Sequence, residues 1–316
     1  MNPRFLFIFI ALYSFLDNFR FLDYRKPIEA KSSIALKQLV TVASDRAKSI
    51  PRPIYKIPED EFNLETALRV MHGSQDTEYN FSDGNYRVRW KPNEEKNNLL
   101  FYKPSGFTEV ESSIVLDYSY VEGDRTKNII LTQAIPWKDH QRYDGWFCRN
   151  CAPPISGAVF ALRTENEKSN WYLESYDFGI AAPGGGGRLS SDREVISIGS
   201  AKKAVMFRHV SSPSGGNLEF LTILSDVAGN FERIFFEKIG DDNHGHPLLS
   251  GLQKRQKSVW ENSSTVKFVS GQNPDYYDIL IETSGTRYVQ ETNLVSDEFR
   301  EIKRYIFKDE KYTLVE

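Results

Sequence analysis

The sequence predicts a mainly β protein: many short antiparallel strands, sandwich or propeller-like, with a small helical part near the N-terminus. Three observations predict it. Apolar runs, alternating or continuous, recur at strand-like spacing from Tyr86 to Val315. Gly, Asn, Asp or Pro bound these runs as turn residues do. Aromatic residues make up 13% of the chain, and their side chains fit a pleated, half-buried surface better than a helix.

The first element is a leader. Arg4 supplies a positive start, and Phe5 to Leu16 is one apolar run. A membrane-spanning helix needs about 20 apolar residues, so this run has the length of a secretory signal. Small residues suited to cleavage come late, at Ile28-Glu29-Ala30 or at Val42-Ala43-Ser44. Residues 1–30 therefore read as a signal peptide, and the protein as exported, periplasmic or secreted. It would touch a membrane only through an uncleaved N-terminal segment.

Residues 31–75 read as a helical extension with a Pro-rich linker. Ile34, Leu36, Leu39, Val40 and Ala43 recur near a 3.6-residue period. Pro51, Pro53 and Pro58 then favour extended chain. A second helix is predicted over Asn63 to His72, capped by Asp60 or Asn63, with Leu64, Ala67, Leu68 and Met71 as its apolar stripe and Gly73 as its stop.

Residues 76–316 form the β-rich domain. Strands are predicted at Tyr86–Trp90, Leu99–Tyr102, Ile114–Tyr120 and Asn128–Ile135, with Val121–Asp124 turning one hairpin. Further strands fall at Ala158–Leu162, Trp171–Tyr176, Val195–Ile198, Ala204–Phe207, Leu218–Leu224 and Phe231–Phe236. The last are Val266–Val269, Asp278–Glu282, Arg304–Phe307 and Tyr312–Val315, the final pair turned by Lys308–Lys311.

The net charge is −3, from 40 basic and 43 acidic residues, so nothing electrostatic argues for nucleic acid. The chain's two cysteines form one Cys-x-x-Cys, Cys148 and Cys151. In an oxidising compartment they read first as a short disulfide. A thioredoxin-like redox pair would want a helix after the motif, and Pro153-Pro154 follow instead. The third reading is half of a tetrahedral zinc site, with His244 and His246 as the remaining ligands. Asp241, Asn243 and Gly245 alternate as in a calcium loop, but Leu252 stands where an EF-hand needs its bidentate Glu. Gly184–Gly187 lacks the Gly-Lys-Ser/Thr ending of a phosphate loop and reads as a flexible surface loop. No Gly-x-Ser-x-Gly elbow occurs, and the histidines are only His72, His140, His209, His244 and His246. A glycan surface would need exposed aromatics; Trp137, Trp146, Trp171 and Trp260 are its candidates, against the commoner use of such residues in a core.

Several pieces of the second half resemble exported bacterial proteins of unknown function: Cys148-x-x-Cys151, Gly157–Phe160, Trp171–Leu173, Phe178-Gly179, Ile198-Gly199 with Ala204–Phe207, and Arg304–Tyr312. Asn273–Ile281 is also similar to the strand entry of degenerate FG-GAP and VCBS-type propeller repeats. Aligned on Asp278, their calcium-ligand positions hold Ser270, Gln272 and Pro274, so calcium is not expected. The resemblance implies a β architecture and an envelope location. The functional expectation is an exported β-rich binding or interaction protein that needs no cofactor. Its partner is a protein, a small molecule or a glycan. The alternative is an envelope enzyme with a thiol or zinc centre at Cys148, Cys151, His244 and His246.

Overall fold

A computed structural model describes residues 55–73, 78–80, 86–90, 109–137, 155–180, 184–185, 188–211, 216–243, 260–289 and 294–315. The chain divides between Pro53 and Ile54, and all described residues belong to the second unit. That unit is mainly β, with two large antiparallel sheets, one of them curled into a half-barrel.

The first sheet has seven strands. They are β1 (Lys56–Pro58), β2 (Glu78–Asn80), β3 (Arg87–Trp90), β4 (Glu109–Glu122), β5 (Arg125–Trp137), β6 (Ile155–Glu165) and β7 (Lys168–Ile180), ordered β1-β7-β6-β5-β4-β3-β2. Pairing follows sequence order from β2 to β7, and only β1 reaches across the chain, setting Ile57 opposite Trp171. A two-stranded ribbon, β8 (Gly184–Gly185) with β9 (Arg188–Leu189), leads out of this sheet.

The second sheet is an eight-stranded meander in strict sequence order. Its strands are β10 (Arg193–Ser197), β11 (Lys203–Ser211), β12 (Asn217–Val227), β13 (Asn230–Asp242), β14 (Glu261–Val269), β15 (Asp278–Val289), β16 (Leu294–Lys308) and β17 (Lys311–Leu314). It curls, because strands far apart in sheet order touch face to face. Phe235 of β13 meets the edges of Tyr305 on β16 and Tyr312 on β17 at 4.9 and 5.9 Å, and Lys303 pairs with Glu237 at 2.9 Å.

The second predicted helix is α1, Leu64–His72, with Asn63 as its cap: Asn63 Oδ1 accepts from Thr66 N–H and Thr66 Oγ1 accepts from Asn63 N–H, each at 3.0 Å, while the first, around Ile34 to Ala43, lies outside the described residues. Its stripe of Ala67, Leu68 and Met71 is buried against one face of the first sheet, with Val88, Ile130 and Phe160. Phe62 wedges in beside it, stacked on Trp171 at 4.3 Å. Trp171 is therefore a core residue rather than part of an exposed aromatic row.

The opposite face of the first sheet packs on the second. Tyr120, Ile129, Leu131, Ile155 and Val159 meet Val205, Phe207, Leu224 and Phe231 in one apolar layer. Gly157 on β6 makes this contact close: a Cβ there would lie 2.0 Å from the Phe231 ring. The remaining core fills the curl of the second sheet, around Ile198, Leu221, Ile223, Phe235, Ile279, Ile281 and Tyr305.

Candidate functional site

Cys148, Cys151, His244 and His246 lie outside the described residues, as do His140 and Trp146. Among the described residues, no three His, Cys, Asp or Glu side chains converge as metal ligands, and no helix is long and apolar enough to cross a membrane. Asp278, the residue aligned with a calcium ligand, is 2% exposed and accepts from Arg304 Nε and Nη2 at 3.0 and 2.6 Å. Its charge is already matched. Trp260 is half-buried and donates from Nε1 to Asp241 Oδ1 at 3.0 Å, while Asn262 Nδ2 donates to the same oxygen at 2.7 Å.

The densest charged cluster joins the two sheets. Lys127 of β5 is 2% exposed. It pairs with Glu122, with Glu174 at 2.9 Å and with Asp226 of β12 at 3.5 Å. Lys202 caps Glu122 at 2.9 Å, and Arg125 and Arg163 reach Glu174 at 2.7 and 2.8 Å. Burial alone would raise the Glu122 and Glu174 carboxyls, but hydrogen bonds from Lys127, Lys202 and Arg163 outweigh it and hold both below the usual range. Burial would likewise lower Lys127, and its carboxylate partners raise it instead. Asp226 is raised by burial, which its Lys127 neighbour only partly offsets. Lys127 is matched by three carboxylates, so the cluster fastens the two sheets together through it.

Beside the apolar layer lies a different arrangement, a groove of about 450 Å³. Ile114 and Val115 of β4 and Gln133 and Ile135 of β5 form one wall; Leu189, Ser191 and Arg193 form the other. A bulge builds the first wall: Ile114 pairs with Thr132 and Leu116 with Leu131, leaving Val115 outside the ladder. Its freed carbonyl accepts from Arg193 Nε at 3.1 Å, and Ser190 O accepts from Arg193 Nη1 at 3.1 Å. These two bonds fix the guanidinium against the groove, and three of its five N–H groups have no hydrogen-bond partner among the described residues. No carboxylate of the described residues pairs with Arg193.

The Gly-rich run expected to be a flexible loop contributes to this wall. Gly184–Gly185 and Arg188–Leu189 form the β8–β9 ribbon, β8 lies against β11, and Leu189 packs into the inter-sheet layer. Glycines suit a ribbon whose backbone runs close over another strand.

Sequence reasoning did not single out Arg193, Leu189 or the bulged Val115. Each is an ordinary strand residue until the register and the second sheet are known. No protein-family model, curated protein or solved structure matches the chain.

Proposed function

We propose that the chain is an exported β-rich binding protein whose inter-sheet groove takes a small amphipathic ligand. The ligand's apolar body lies on Ile114, Val115, Ile135 and Leu189, and its polar or anionic head meets Arg193. The observation that carries this reading is a groove with a mixed apolar and polar lining, beside a guanidinium that is anchored by two backbone carbonyls and has no acidic partner among the described residues. A groove of this volume, lined by Ile, Val and Leu side chains together with Gln133, Ser191 and Arg193, falls in the size range of small-molecule sites, roughly 300 to 1,000 Å³.

The test is displacement of an apolar fluorescent probe from the purified chain by long-chain carboxylates and the matching alcohols. Leu189→Trp, which fills the groove, is expected to weaken every ligand at least about tenfold, or about 1.4 kcal/mol, with an unchanged circular dichroism spectrum. Arg193→Gln is expected to weaken the carboxylates by about tenfold and spare the alcohols. Probe and ligand affinities unmoved by Leu189→Trp would remove the groove from consideration.

A further inference from the structure

Along the same face of the second sheet, past the groove, stands a second cation without an acidic partner among the described residues. Regular alternation would set Arg233 and Phe236 on opposite faces of β13. The register shift in β12–β13 changes that. Ile223 pairs with Phe235 and Leu224 with Arg233, so Ile234 is the extra residue. Ile234 and Phe235 both enter the half-barrel core, and Arg233 comes to the side of Phe236 with its guanidinium carbon 5.0 Å from the ring centroid.

Phe236 stacks on Phe220 at 5.2 Å and 10°, and Phe220 stacks on its cross-strand partner His209 at 5.3 Å and 21°. Register extends the placement: Arg193, Phe207, Thr222 and Phe236 are partners across four neighbouring strands, so groove and aromatic row share a face.

No carboxylate among the described residues pairs with Arg233, and burial lowers its guanidinium pKa, so its charge is held at a desolvation cost. His209 Nδ1 is buried with no hydrogen-bond partner. Burial first, and the Arg233 charge second, push the imidazole down to about 4, which leaves it neutral at pH 7. Phe236 lies between Phe220, stacked on its ring, and the Arg233 guanidinium over it, and stays 37% exposed.

We propose that Arg233, His209, Phe220 and Phe236 form a binding site for a small aryl carboxylate. The carboxylate accepts a bidentate pair from Arg233 and a hydrogen bond from the His209 ring N–H, and the aryl ring packs on the exposed edge of Phe236. The site uses none of the groove residues and stands whether or not the groove binds an amphiphile.

The experiment titrates the full chain, with histidine labelled in its ring nitrogens, with benzoate and with benzamide; His209→Gln assigns the His209 signals. A saturable shift of the His209 signals by benzoate is expected, with benzamide at least about tenfold weaker because it brings no charge. Arg233→Met is expected to weaken benzoate by about tenfold or more while keeping or raising the melting temperature, since Met retains a contact on Phe236 and the unpaired charge is gone. Silence of His209 up to about 10 mM benzoate, where even weak specific sites respond, would overturn the site. So would equal responses to benzoate and benzamide, or an Arg233→Met chain that binds unchanged. A fall in melting temperature would mean that Arg233 already has a partner, and would overturn it too. Displacement of the groove probe, read on the same samples, reports on Arg193 alone.

Discussion

Lys127 is a cation in the wrong place for a β protein, buried at the junction of two sheets, and its surroundings explain why it is tolerated. Three carboxylates face it, two of which are themselves paired with other cations. Lys127→Met leaves those carboxylates buried with less positive charge, and a loss of about 3–5 kcal/mol in stability is expected from chemical denaturation at pH 7. The deficit should shrink toward pH 5, as the stranded carboxyls take up protons. In the parent chain the signs run as follows. Glu122 and Glu174, lowered from 4.5, add stability that is present above that value and fades as pH falls through their folded pKa values. Lys127, raised from 10.5, adds stability that is present below that value and fades as pH climbs through its folded pKa. Asp226 opposes them, because its raised pKa makes the ionised form costly, a cost relieved on acidification. Melting curves from pH 3 to 9 should therefore show a plateau with loss only below about 4.5, and a steady rise in stability on acidification from pH 7 would contradict the ion-pair reading. None of these residues stood out in the sequence. Their meaning arises from five strands and a turn meeting at one point, which no local pattern encodes. Asp278 is the converse case: its place in a resemblance pointed toward a ligand role, and Arg304, across the β15–β16 ladder, holds its charge.

At the scale of elements, the seeds of the strands were legible and their lengths were not. Asn128–Ile135 grew to Arg125–Trp137, and Arg304–Phe307 to Leu294–Lys308. Apolar alternation marks only the stretch of a strand that crosses a core; the flanks, such as Glu261-Asn262-Ser263-Ser264 in β14, are polar and pair through the backbone ladder and polar side chains, Ser264 with Thr283 and Asn262 with Asp241. The three-residue β1 carried no pattern long enough to read. The bulges were equally invisible, although those at Val115 and Ile234 place both arginines of interest. The helix from Leu64 to His72 was legible in span and stripe because that signal is local, and of the two caps the sequence offered, Asp60 and Asn63, it is Asn63 that caps it. Asn63→Ala should cost about 1 kcal/mol, visible as a lower melting temperature with an unchanged strand signal. Gly157 decides how closely β6 approaches β13. Gly157→Ala is expected to cost about 1–3 kcal/mol, with part recovered when Phe231→Leu is added, since the added methyl then has somewhere to go. Two independent, additive losses would show that the contact is not what the glycine protects.

For the whole molecule, fold class was readable from composition and turn spacing, and the β body now has its two sheets. The exported state is still argued from Phe5–Leu16 and carries its own test: the mature N-terminus, read by mass spectrometry on protein from a periplasmic fraction, should fall after residue 16 and near Ala30 or Ser44. Thiol titration of that material without reductant should find Cys148 and Cys151 unreactive; two free thiols of low pKa would favour the enzyme alternative. The candidate groove was not legible in the sequence, which pointed to no residue of it, because a groove belongs to two sheets at once.

The meander order has a kinetic meaning as well. Nearly every ladder joins strands adjacent in sequence, so most pairs close short loops and can zip as hairpins while the chain emerges. The exception is β1, whose partner β7 lies more than a hundred residues on. The earliest described strand must wait, with Ile57 and its neighbours uncovered, until Trp171 has been made. The start of this domain is its last piece of the first sheet to find a home, and the interval before then is when it is open to chaperones and proteases.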